Sequence, residues 1–149
     1  MKVYVDTSVF GGYYDDEFKE WTSRFFNEVE NAVHQIVISA LVEQELVNAP
    51  QNIKELFAKH QKNIEKVLIN GKMIDLAESY VIEKALSRKF FNDALHIATA
   101  TLHKIDVLVS WNFRHIVNLN RIRLFNAVNL KNGYSPIEIR SPREILNKT

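Results

Sequence analysis

Three features of the chain predict an α/β fold with a parallel sheet covered on both faces. Short apolar runs lie at 2–6, 34–39 and 106–110, helical apolar periodicity fills the stretches between them, and polar residues stand where the runs end. Residues 2–6 read as the first strand. The stretch from Asp15 to Asn31 reads as a helix, because Phe18, Trp21, Phe25, Phe26 and Val29 recur at helical spacing, with Gly11-Gly12 as the turn between. His34 to Ser39 is the second strand. Ala40 to Ala49 follows as a short helix stopped by Pro50, and another helix runs from Gln51 to Asn63.

After a Gly71 turn, residues 72–88 form an amphipathic helix with Ile74, Ala77, Val81, Ile82 and Leu86 on one side. Asp93 to Lys104 is a helix rich in small residues. Asp106 to Ser110 is read as the third strand, Arg121 to Leu130 as a helix, and Pro136 to Arg140 as a short edge strand beyond Gly133.

The 149 residues, 46% of them hydrophobic, suit one domain spanning 1–149, large enough to bury a sheet between helices. There is no cysteine. That excludes disulfides, thiolate nucleophiles and zinc–cysteine clusters, so a metal would be held by oxygen or imidazole. No apolar run approaches the roughly 18 residues of a membrane span, and a cytoplasmic location without membrane association is expected. Net charge is only +1, but it is unevenly spread. From Lys104 onward eight basic residues (Lys104, Arg114, Arg121, Arg123, Lys131, Arg140, Arg143, Lys148) face three acids (Asp106, Glu138, Glu144). Arginine predominates there, and its planar fork suits phosphate, so a polyanion is a natural partner for that end.

Three acids stand where ligands bind in such folds. Asp6 directly follows the first strand, opening toward the crevice at the carboxyl ends of the strands. Glu45 falls within the apolar arc formed by Leu41, Val42, Leu46 and Ala49 on a helical wheel, whereas Glu43 lies off it. A carboxylate on that side is costly unless a partner compensates it, and a cation shared with other acids would do so. Asp93 is placed to cap its helix, as Asn92 equally would be. Small residues Ala94, Ala98 and Thr101, with Ile97, let that helix approach the strand ends closely. Its positive N-terminus would repel a metal, so several carboxylates would have to act together.

Ser110 and Asn112 would face the same crevice, able to contact a metal-bound water or a phosphate oxygen. Trp111 and Phe113 read as core, unless one is exposed beside the site, where it would suit base stacking. His96 and His103 read as packing or polar-face histidines, His96 the nearer to Asp93.

Four pieces in order carry a resemblance. Val3-Tyr4-Val5-Asp6-Thr7-Ser8, Ser39-Ala40-Leu41-Val42-Glu43-Gln44-Glu45-Leu46, Asp93-Ala94-Leu95-His96-Ile97-Ala98-Thr99-Ala100 and Leu108-Val109-Ser110-Trp111-Asn112-Phe113 resemble the PIN domain, the family that includes VapC-type toxin ribonucleases. The resemblance implies a three-layer α/β/α sandwich with a mainly parallel central sheet. It implies a Mg2+- or Mn2+-dependent endoribonuclease, with Asp6, Glu45 and Asp93 as metal ligands and an RNA product ending in a 5′-phosphate and a 3′-hydroxyl. It also implies a small antitoxin partner and a homodimer. Asn112 would join the catalytic set, while Ser110, Thr7 or Ser8, Arg114 and Arg88 would contact substrate or metal-bound water.

This chain departs from the family at Asn112, where many members have aspartate; the change lowers the charge available to a second metal ion. The segment Gly133 to Pro142 resembles the tail of PIN-like proteins sharing this asparagine. Two other aspartate-first folds fit poorly. A haloacid-dehalogenase-like phosphatase needs a second aspartate where Ser8 stands, and a receiver domain needs clustered acids and a late lysine that Ser110-Trp111-Asn112 does not supply. The stronger rival is a non-catalytic PIN-like module binding RNA or protein through a degenerate metal site.

Overall fold

Val3, Tyr4 and Val5 are wholly buried, as only a strand covered on both faces can be, and they form the middle of the sheet. A computed structural model describes residues 1–147; Lys148, from the basic surplus, lies outside them. Five strands, β1 (Lys2–Val5), β2 (Gln35–Ser39), β3 (Ile64–Val67), β4 (Val107–Val109) and β5 (Ile139–Arg140), lie in the order β3-β2-β1-β4-β5. Every pairing is parallel. Helices α1 (Thr7–Gly12), α2 (Lys19–Glu30), α3 (Ala40–Leu46) and α4 (Gln51–His60) form one packed group, and α5 (Gly71–Ile82), α6 (Phe91–Leu102) and α7 (Leu119–Lys131) form another. The architecture is the expected three-layer α/β/α sandwich.

Several elements differ from the sequence reading. Gly11-Gly12 is no turn: α1 begins immediately after Asp6 and includes both glycines. Gly12 is there for proximity, since a Cβ at this position would lie 2.6 Å from the Trp111 ring and 2.8 Å from Thr22 Oγ1. Ile64–Val67 was not anticipated as a strand. Its Ile-Glu-Lys-Val sequence is only partly buried at a sheet edge, so it lacks the continuous apolar run of a central strand. The segment at 107–109 is therefore the fourth strand, and the edge strand β5 is limited to Ile139–Arg140.

Helix α2 starts at Lys19 rather than Asp15, α3 stops at Leu46, and a short 3-10 turn over Gln61–Asn63 follows α4. Helix α5 ends at Ile82, and Lys84, with φ 63°, turns the chain out of the helix well before residue 88. Its buried stripe is Met73, Leu76, Ala77 and Tyr80, the i, i+3, i+4, i+7 set that packs on α6, whereas Ile74 and Ile82 are exposed. The apolar side expected through Ile74 and Ile82 was thus rotated from the true one.

Candidate active site at the carboxyl edge of the sheet

The chain runs from β1 outward to β2 and β3, then returns across β1 to place β4 on its other side. The strand order therefore reverses between β1 and β4, which is where a parallel sheet opens a crevice at its carboxyl end. Val5 is paired with Val109, so Asp6 and Ser110 emerge from that reversal side by side. Ser110 Oγ donates to Asp6 Oδ2 at 2.6 Å, and Ser8 Oγ donates to Oδ1 at 2.6 Å. Asp6 is thereby held through both oxygens. Burial pushes its carboxyl pKa up and Glu45 adds to that, while His96 and the two hydroxyls pull the other way.

Glu45 reaches the same edge from α3. Its Oε1 accepts from Thr7 Oγ1 at 2.9 Å and lies 2.7 Å from His96 Nε2, so Nε2 must carry a proton. His96 Nδ1 lies 2.7 Å from the buried Tyr4 hydroxyl, which is 2.8 Å from Ser39 Oγ. With a neutral imidazole, Ser39 donates to Tyr4 and Tyr4 to Nδ1; with imidazolium, both donations reverse. Burial raises the Glu45 pKa, but the His96 contact and charge and the Thr7 hydroxyl outweigh it, leaving the acid below its ordinary value. Half-burial of this carboxylate agrees with its placement on the apolar arc.

Asp93 does not cap its helix. Helix α6 begins at Phe91, which puts Asp93 inside the first turn. Its only side-chain hydrogen bond among the described residues comes from Asn112 Nδ2, at a long 3.4 Å. Burial, with Asp6 and Glu45 adding repulsion, pushes its pKa up to about 6 against the pull of His96 and Asn112. Asn112 is itself fixed, because its Oδ1 accepts from the His115 N–H at 2.9 Å and its own N–H donates to Ser110 Oγ. One hydrogen-bonded path thus joins Asp93, Asn112, Ser110 and Asp6.

The three acids lie within electrostatic reach of one another, as their mutual effects require. Among the described residues, neither a lysine nor an arginine forms an ion pair with any of them; the one basic side chain within hydrogen-bond distance is His96, at Glu45. The oxygen donors suit a hard divalent ion in kind. As the side chains stand, however, no group of three or more His, Asp or Glu among the described residues is disposed to hold a metal ion directly. Magnesium is commonly bound through one or two carboxylates with water filling the remaining positions, so a preformed three-carboxylate cage is not needed.

The other expected contacts divide. Thr7 and Ser8 hold Glu45 and Asp6, respectively, rather than facing outward. Arg114 is exposed on the turn after Asn112. Arg88 is engaged elsewhere, its guanidinium gripping Glu78 at 2.9 and 2.6 Å. His96 was undervalued: it lies one helical turn beyond Asp93 on the same face, and that acid-to-histidine spacing was the available signal. Trp111 is buried as expected, but Phe113 is not.

Comparison with known proteins agrees with the fold. A chain from the crystal structure of VapBC2 from Rickettsia felis, bound to a DNA fragment from their promoter, superposes with a TM-score of 0.56. The match covers 95% of this chain and 98% of that one at 14% identity, a likeness of fold alone. Among curated proteins, none matches in sequence. The PIN domain pattern matches residues 3–116, which run from β1 through the turn carrying Asn112, and a match over that much of the chain places the protein in the PIN domain family.

Proposed function

We propose that this protein is a divalent-metal-dependent endoribonuclease and the toxin of a toxin–antitoxin pair. PIN domains are generally metal-dependent nucleases, which supports the reaction class. The observation that carries the reading is the set Asp6, Glu45 and Asp93 at the strand reversal, where burial, with repulsion from Asp6 and Glu45 adding to it, pushes the Asp93 pKa up to about 6 and no lysine or arginine among the described residues is ion-paired to any of the three. A magnesium or manganese ion would relieve that repulsion, with Asp6, Glu45 and Asp93 as its carboxylates. When bound, such an ion supplies a nucleophilic hydroxide near neutral pH and neutralises charge on a phosphodiester.

The protein's own groups do the positioning. Ser8 and Ser110 orient the Asp6 carboxylate, Thr7 and His96 orient Glu45, and Asn112 links Asp93 to Ser110. RNA as the substrate follows from the family resemblance, and the VapBC2 structure supports an antitoxin as partner.

The test is cleavage of a small structured RNA by purified protein with manganese. Activity should stop with chelator and fall at least about 100-fold in Asp6→Asn, the scale expected when a charge-stabilising group is lost. Asp93→Asn should impair it as well. Equal cutting by parent and Asp6→Asn would trace the activity to a contaminant. A second reading, a non-catalytic RNA- or protein-binding module, is favoured by Asn112 in place of an acid and by the lack of a preformed cage among the described residues. Metal-independent RNA binding with no cleavage by the parent would select it.

A further inference from the structure

The turn after β4 carries an aromatic ring that catalysis by the acids does not use. Phe113 is 46% exposed, although it directly follows Asn112. It is backed by rigid structure. Phe18 stacks on Trp111 with ring centroids 4.2 Å apart and planes within 14°, and Phe113 lies 6.0 Å from each of these rings. Trp111 is fixed in turn by its indole N–H, which donates to Thr22 Oγ1 at 2.9 Å, and the Phe113 N–H donates to the Trp111 carbonyl at 3.0 Å.

One exposed aromatic ring needs no special explanation by itself. The rest of the same turn supplies the second observation. His115, two residues on, stacks on Phe90 at 3.7 Å, and the Lys89 ammonium lies 5.8 Å from the Phe90 ring. Burial lowers the His115 pKa, and the nearby charges of Arg121, Arg114 and Lys89 lower it further, which locates three cations around this turn. Arg121 uses its N–H groups on the main-chain carbonyls of Arg114 and Ala85. None of the three cations forms an ion pair with a carboxylate among the described residues. Among the described residues no carboxylate neutralises them, so their charge is open to a polyanion. Phe90 also immediately precedes the helix bearing Asp93, and Arg114 follows Asn112 by two positions, so along the chain these cations flank residues of the acid site.

We propose that Phe113 is a stacking platform for an unpaired base of a single-stranded nucleic acid whose phosphates lie along Lys89, Arg114 and Arg121. The inference rests on the nuclease reading only for what happens to the bound strand. A flat ring accepts any base, so the site favours unpaired over duplex substrate and discriminates weakly among sequences. The cations attract the backbone and the ring grips one nucleotide beside the carboxylates.

Binding is tested in the full-length Asp6→Asn protein, so that the strand survives, by fluorescence anisotropy with a labelled mixed-sequence oligoribonucleotide, its deoxy counterpart and a duplex. Phe113→Ala should weaken single-strand binding roughly 5- to 150-fold, leave duplex binding nearly unchanged, and melt at the same temperature as its parent. Phe113→Trp should restore affinity. Arg114→Gln should weaken all strands together and reduce the magnitude of the logarithmic salt slope by about 0.7.

Unchanged single-strand affinity in Phe113→Ala, equal losses on single strand and duplex, or no oligonucleotide binding by the Asp6→Asn protein would each overturn the proposal. So would a Phe113→Ala protein that loses only a co-purifying protein partner, since the ring would then serve protein docking. If Phe113→Ala fails to fold, Phe113→Leu is read in its place under the same criteria. Phe113-dependent binding without cleavage by the parent would leave this inference standing and remove the nuclease reading.

Discussion

The two ends of the sheet treat charge in opposite ways. At the amino end, charges are paired and solvated: Lys2 Nζ meets Glu65 at 3.1 Å, the Lys2 N–H donates to Asp106, and Lys59 approaches Glu30. At the carboxyl end, Asp6, Glu45 and Asp93 gather with no lysine or arginine ion-paired to them among the described residues. The strands are the same and so is the core between them. Folding stability cannot explain the second arrangement, because buried like charges oppose it. The difference separates an end where charge is neutralised as the fold closes from an end where folding leaves electrostatic tension.

The sharpest way to break that contrast without touching an acid is Gly12→Ala. The new Cβ would collide with the Trp111 ring and Thr22 Oγ1, so Trp111 must shift and carry the neighbouring Asn112 turn with it. A loss of about 1–3 kcal/mol in urea unfolding is expected, as for other overpacked cores. Full stability in this variant would mean that α1 is not clamped against the turn.

A smaller effect tests the tension itself. Asp93 has a folded pKa of about 6 against an ordinary value of 3.8, so the folded chain binds its proton more tightly than the unfolded chain does. Stability from this group is complete below about pH 4 and is lost as pH rises through 6. Asp93→Asn should therefore raise the melting temperature at pH 8 by about 2–4 °C and give no gain at pH 4. Manganese should likewise stabilise the parent at pH 8 but not at pH 4. Equal shifts at both pH values would show that Asp93 does not bear the strain.

The smallest effect belongs to the other end. Lys2→Ala breaks a solvated pair and should cost no more than about 0.5 kcal/mol, and it should leave the proposed RNA cleavage unchanged. A marked drop in activity would mean that the two ends are coupled.

How legible all this was depends on where each residue sits. Asp6 could be read because it terminates a buried run, and Glu45 because it interrupts an apolar arc. Both signals are local. Ile64–Val67 escaped because an edge strand needs no apolar alternation, and α1 because two glycines resemble a turn unless Trp111 is known to press against them. The roles of Tyr4 and Ser39 were invisible, and that of His96 only hinted at by its spacing from Asp93, for a different reason: their hydrogen bonds join residues from separate elements, and only the folded register brings those atoms together. Phe113 shows the limit of composition, since an aromatic beside a buried tryptophan looks like core until its exposure is seen.

The bond from Ser110 to Asp6 spans 104 positions of sequence. A chain still emerging from the ribosome has already made its first acid, and Ser8 to hold one of its oxygens, but cannot hold the second until β4 arrives to pair with β1. If the proposed nuclease reading holds, prematurely terminated copies lacking that strand would be inactive, and competence would switch on late in synthesis, when the proposed inhibitor can already be waiting.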